Sequence, residues 1–202
     1  MKGVVTWAST VEIHVVCKYV KHRWVGHSFT PVVDKIRFRE ERLGNFSFKM
    51  QQFKTENFVN PYSKKDFPVA VKVRDKMYFL LSVDSKDEDV KLFAKTCKAT
   101  TTPSPKDPIQ FLFISNGCPV SHSVKFLPCQ NPKEIRLSLK AFQFLKILPQ
   151  IYLHCKLTAC HSQDTTSRCT NGCLRSDERR KKREEADDGY QLTAGPFQYV
   201  LQ

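Results

Sequence analysis

The sequence has no GxSxG elbow, no HExxH helix, no glycine-rich phosphate loop and no paired carboxylates in a segment that reads as a cleft. Those absences remove the common hydrolase, metalloprotease and nucleotide-binding chemistries. A non-enzymatic chain that needs no cofactor is the expectation. No apolar stretch approaches the roughly 20 residues that span a bilayer; the longest is MYFLL, Met77–Leu81. Long helical periodicity is missing too, which points away from helical folds. The opening residues, MKGVVTWASTVEIHVVC, do not have the layout of an export signal, since one lysine precedes a stretch broken by Thr, Ser and Glu.

What is present is phenylalanine, cysteine and positive charge. A chain of 202 residues accommodates one ordinary domain with a core, or one domain and a fragment of another. The 15 phenylalanines and a hydrophobic fraction of 41% favour strands over disorder. Alternation with period two recurs at Ile13/Val15/Cys17, Phe46/Phe48/Met50, Val69/Val71/Val73, Ile135/Leu137/Leu139 and Ile151/Leu153/Cys155/Leu157. Each reads as a strand with one buried face. The continuous runs MYFLLSV and FLFI read as central strands. NPY, TTPSPKDP, NGCP and LPCQNP supply the turns between them. An all-β antiparallel sandwich follows. His14 and His154 fall at the polar positions of their strands, which predicts a solvated face for both.

The net charge is +13 and is spread over both halves, whereas a nucleic-acid binder concentrates its excess on one motif. A diffuse basic surface suits acidic glycans, mucins or solubility, and nucleic acid is not an expected partner. The densest cluster, Arg180-Lys181-Lys182-Arg183, is flanked by Asp177, Glu178, Glu184 and Glu185. It fits a furin-type convertase site, whose acidic subsites bind basic side chains of an extended segment. It fits a nuclear-import signal or a solvated charge run equally well. Seven of eight cysteines fall between Cys97 and Cys173, a density that suits an oxidising compartment. Without an export signal, that density is expected of a piece or truncated isoform of a longer secreted protein. Cys155, Cys160, Cys169 and Cys173 have only loosely zinc-like spacing, and Cys155 alternates inward; no metal is expected. The same inward placement speaks against a Cys155–His154 nucleophile pair. Asn45-Phe46-Ser47 is a glycosylation sequon.

Longer motifs carry a family resemblance. IYLHCKLTACHSQDTTSRCTNGC resembles the end of the carboxy-terminal (ZP-C) half of a zona pellucida module. FAKTCKATTTPSPKDPIQFLFISNGCP is similar to that family's CxA…PxP…DP…GCP segment. GNFSFKMQQF resembles the first ZP-C strand, and EIHVVCKY the last strand of the preceding ZP-N half. The spacing is most similar to ZP modules of mucosal scavenger-type and CUB-and-ZP glycoproteins.

The resemblance implies an immunoglobulin-like sandwich organised as the end of ZP-N (1–17), a linker (18–43), ZP-C (44–176), a basic cleavage segment (177–183) and a C-terminal propeptide (184–202). It implies disulfides Cys97–Cys155, Cys118–Cys173 and Cys160–Cys169, leaving Cys17 and Cys129 unassigned. Cleavage would follow Arg183. An external hydrophobic patch, Leu192, Phe197, Tyr199 and Leu201, would fill the sandwich as a removable plug strand. An internal patch, Val32, Val33, Ile36 and Phe38, would lie in the linker. The implied role is assembly of extracellular filaments with other ZP-domain proteins or with itself. Location would be secreted or at the cell surface, with membrane attachment only through an anchor beyond this chain. With most of ZP-N absent, Cys17 lacks its expected partner, and the chain alone is expected not to form filaments. The competing reading is a secreted binding module whose basic sandwich face holds acidic glycans, mucins or microbes.

Overall fold

The computed structural model describes residues 5–6, 32–33, 35–40, 44–144, 150–173 and 189–199. Its strands are β1 (Val5–Thr6), β2 (Val32–Val33), β3 (Lys35–Glu40), β4 (Gly44–Phe53), β5 (Val69–Val71), β6 (Lys76–Ser85), β7 (Val90–Thr100), β8 (Gln110–Ser115), β9 (Cys118–Pro119), β10 (Val124–Leu127), β11 (Glu134–Lys140), β12 (Gln143–Phe144), β13 (Gln150–His161) and β14 (Tyr190–Tyr199). A one-turn helix, α1 (Arg168–Asn171), follows β13.

Two sheets face each other. One runs β10-β11-β6-β4-β3; the other runs β2-β14-β13-β7-β8-β9, with β5 also paired to β14. The alternation in KMYFLLSVDS decides how β6 lies: Met77, Phe79, Leu81 and Val83 are buried, while Tyr78, Leu80 and Ser82 are half-buried. These four side chains meet Phe48 and Met50 of β4, Leu137 and Leu139 of β11, and Leu92, Ile151, Leu153, Leu157, Leu192 and Phe197 of the facing sheet. One continuous apolar core results, in which each fully buried large side chain contributes about 1.5–3 kcal/mol. Phe142 extends that core towards one end, 4.4 Å from Phe111 and 5.7 Å from Phe144 between ring centroids.

Four features depart from the sequence reading. The pairing is not wholly antiparallel, because β5 runs parallel to β14. The segment read as a linker contributes strands, β2 beside β14 and β3 beside β4. FLFI does not form a central strand. β8 is separated from the sheet edge only by the two-residue β9, and Leu112 is 41% exposed. Finally, His154 is fully buried rather than solvated. β13 is a central strand, and the turn-rich segment after β7 folds over its outer face.

Candidate functional site: the C-terminal strand

Strand β14 lies inside a sheet although it comes from the end of the chain. It pairs antiparallel with β13 from Gln150↔Gln198 to Leu157↔Tyr190. Its other edge pairs antiparallel with β2 (Ala194↔Val33, Gly195↔Val32) and parallel with β5 (Phe197↔Val69, Gln198↔Ala70, Tyr199↔Val71). One edge is thus paired along most of its length and the other along its second half, and every residue from Leu192 to Phe197 is buried.

Leu192 and Phe197 are five positions apart, an odd number, so an uninterrupted strand would point them to opposite faces. Both nevertheless reach the same core. The register slips between Ile151 and Leu153 opposite Gly195, and this irregularity resets the alternation. Gly195 sits at φ +140°, and a Cβ there would stand 2.9 Å from the Ile151 carbonyl oxygen. Only glycine fits that position without strain. Beyond the slip, Phe197 packs against Phe67 (6.0 Å) and Phe79 (5.8 Å), and Tyr190 packs against Phe48 (5.1 Å). Tyr199 is packed against the same core, and burial pushes its phenol well above the usual tyrosine range.

Polar contacts hold the outer face of this strand. His154 Nδ1 lies 2.9 Å from Thr193 Oγ1 on β14, and its Nε2 lies 2.6 Å from Thr100 Oγ1 on β7. Thr100 Oγ1 donates to the Thr102 carbonyl at 2.6 Å, which leaves its lone pairs to accept from His154 Nε2–H. Nδ1 then accepts from the Thr193 hydroxyl. The segment above is closed by Asp107, which accepts from Thr101 Oγ1 and from the Ile109 amide, both at 2.8 Å. Burial pushes the Asp107 carboxyl up, but hydrogen bonds from Thr102, Ile109 and Thr101 outweigh it and hold the group below the usual carboxylate range. His154 is pulled down to about 4, chiefly by burial and then by Lys98, against the raising influence of the Thr102 backbone and Asp107. The alternation rule hid this relay. A signal was present in the threonines, since His154 is flanked in register by Thr193 and lies beside Thr100.

Three disulfides fix the frame around β14. Cys97–Cys155 links directly opposed residues of β7 and β13 within the core. Cys118–Cys173 ties β9 to the segment after α1, and Cys160–Cys169 ties the end of β13 to α1. These are the same pairs that the resemblance implies, and they leave none of the four thiols considered for zinc free. Cys129 is a free, half-buried thiol, 3.6 Å from a Glu134 carboxylate oxygen. Of the internal patch, Val32 and Val33 form β2 against β14, whereas Ile36 and Phe38 lie in β3, opposite Phe48 and Phe46. Asn45 is in β4, paired with Arg39. Cys17, Arg180, Lys181, Lys182, Arg183 and Leu201 lie outside the described residues.

Comparison with known proteins agrees with this geometry. The zona pellucida ZP-C domain family model matches residues 42–170. CUB and zona pellucida-like domain-containing protein 1 of Mus musculus is 28% identical over 174 residues, covering 86% of this chain and 28% of that protein. Pancreatic secretory granule membrane major glycoprotein GP2 of Mus musculus is 27% identical over 170 residues, covering 83% of this chain and 31% of that protein. Zona pellucida sperm-binding protein 4 of Homo sapiens is 25% identical over 195 residues, covering 85% and 35%. The chain thus spans between 28% and 35% of these three relatives.

Proposed function

The chain belongs to the zona pellucida family through its ZP-C domain, and from that premise we propose that it is the carboxy-terminal half of an extracellular assembly module whose β14 is a removable strand. The family is non-enzymatic. In this reading a furin-type convertase cuts after Arg183. Departure of β14 then opens the edges of β13, β2 and β5 for a strand of another ZP-domain protein or of a second copy. Unpaired strand edges in a sheet interior are strong templates for strand addition.

The observation that carries the reading is the placement of β14. It is buried like a core strand, yet the chain that joins it to the rest of the domain crosses the segment holding Arg180-Lys181-Lys182-Arg183. Its pairing with Val32–Val33 adds support, since the internal and external patches meet there along one edge. Charge supports retention after cutting. Residues 184–202 carry Glu184, Glu185, Asp187 and Asp188 and no Lys or Arg, so the tail is −4 and the body is 13 + 4 = +17. An acidic leader on a basic body stays docked until a competing strand or a second signal displaces it.

The test is Arg183→Ala in secreting cells, expressed with a ZP-N half supplied upstream. Processing should be lost, and the secreted protein should stay monomeric where the parent forms filaments. Continued cleavage at this site, or filaments from uncut protein, would overturn the removable-strand mechanism. A second reading, in which the basic surface holds acidic glycans, is supported by two cavities beside a lysine row.

A further inference from the structure

Beside the Cys118–Cys173 bridge, the loop from Pro119 to Ser123 separates two adjoining cavities. One, of about 380 Å³, is lined by Phe111, Val120, Ser121, His122, Ser123 and Lys140. The other, of about 310 Å³, shares Val120, Ser121 and His122 and adds Lys125. Internal hydrogen bonds and a neighbouring disulfide tie the loop down. The Ser121 and Ser123 hydroxyls are 2.8 Å apart, the Ser123 amide donates to Ser121 Oγ, and the Ser123 carbonyl accepts from the Lys140 amide at 2.7 Å. Its first residue follows a disulfide-bonded cysteine on a sheet edge.

Register places the charge. Lys125 is opposite Ser138 and Lys76 is opposite Lys140. Residues 138 and 140 share a face, so Lys125, Lys140 and Lys76 form one row on the outside of the sheet. Like charges directly opposite each other disfavour a sheet. The row takes no part in the Lys49–Asp84 and Arg136–Glu134 ion pairs found among the described residues. Neither cavity lining contains a carboxylate. Val120, which is 53% exposed, and Phe111 add apolar lining to the larger of the two cavities.

We propose that this loop and lysine row form a binding site for a terminal anionic sugar, one that carries a carboxylate or a sulfate. Lys140 and Lys125 meet the acidic group, Ser121 and His122 bond ring hydroxyls, and Val120 with Phe111 covers the apolar face of the ring. The volume falls within the range of small-ligand pockets and has room for one sugar ring. Opposed lysines are then a feature that the anion relieves. The proposal rests on the acidic-glycan reading above and gives it a place on the surface.

The experiment is an NMR and calorimetric titration of the full chain with sialyllactose, galactose 6-sulfate and lactose at low and high salt. Binding of one anionic sugar but not lactose is expected, weakening as salt rises. The sialylated and sulfated arms identify which acid the site takes. Lys140→Ala and Lys125→Ala should each weaken that binding about tenfold, as expected for loss of a charge-assisted contact. Val120→Asp should abolish it, while Lys65→Ala, in the 3-10 turn Lys64–Asp66 between β4 and β5 and outside both cavity linings, leaves it unchanged. Anionic binding that is indifferent to Lys125 and Lys140 would overturn this site while leaving the glycan reading standing. Absence of anionic binding, or equal binding of lactose, would overturn both.

Discussion

Phe197→Asp should expel β14 from the sandwich and leave the protein largely retained inside secreting cells. Phe197 is 1% exposed, between Phe67 and Phe79 of the core. Removing a buried phenylalanine side chain costs about 3–5 kcal/mol, and an unpaired carboxylate in its place adds a desolvation cost of several more. A domain holds roughly 5–15 kcal/mol in total, so the substitution consumes most of it. The least costly response is local. β14 carries its new charge into water, and β13, β2 and β5 are left with open edges that associate non-specifically. Any secreted fraction should melt at least 10 °C lower than the parent, by the usual conversion of stability to melting temperature for a domain of this size. Gln198→Asp, one residue along and exposed, should change stability by less than about 0.5 kcal/mol. Equal melting temperatures for the Phe197→Asp and Gln198→Asp proteins would show that β14 does not hold the fold.

The contrast between neighbouring positions shows what could be read from the chain and what could not. β4, β11 and β13 are legible because their alternation is local and the turn residues between them are strong, and β6 is legible as a continuous apolar run. The ZP-C resemblance was legible because its cysteines fall among long motif segments. Val32, Val33, Ile36 and Phe38 are legible as an apolar patch within the charged segment 18–43, but not as strands. Strand formation there depends on partners far along the chain, β14 for residues 32–33 and β4 for residues 35–40. FLFI was misjudged because an apolar run reports burial only if the sheet continues beyond it, and β9 ends the sheet after two residues. His154 was misjudged for the opposite reason. A polar residue at an outward position is solvated only when nothing covers that face, and here the segment closed by Asp107 does so. The candidate site was thus legible as a sequence of patches. The slip at Gly195 that lets Leu192 and Phe197 share one core was not, because period two cannot announce its own interruption.

That covered histidine makes the hold on β14 dependent on pH, with a definite sign. In the folded protein His154 titrates at about 4; once exposed, it should titrate near the free value of about 6.5. The open or unfolded state therefore binds more protons between those values. The stabilisation is complete above about pH 6.5 and is lost progressively as pH falls towards 4. Across that window the linkage is on the order of 3 kcal/mol. The groups around His154 agree with the direction. Lys98, opposite it on β7, repels the imidazolium, and Asp107 in the covering segment only partly offsets this. The Thr193 hydroxyl, which donates to Nδ1, would have to turn away from a protonated ring. Asp107 cannot be the source of the effect. Its folded pKa is depressed, so its contribution is present above the free carboxylate value of about 3.9 and is lost only below it. The opening equilibrium of β14 should rise roughly 30-fold between pH 7.4 and pH 5. Hydrogen exchange at the amides of Gln191–Ala194, corrected for intrinsic rates, measures it directly. His154→Gln keeps one donor and one acceptor without a titrating ring, and it should reduce the pH dependence to less than about threefold while lowering stability at pH 7. If the His154→Gln protein opens with the same pH profile as the parent, the relay from Thr100 through His154 to Thr193 does not govern the release of β14.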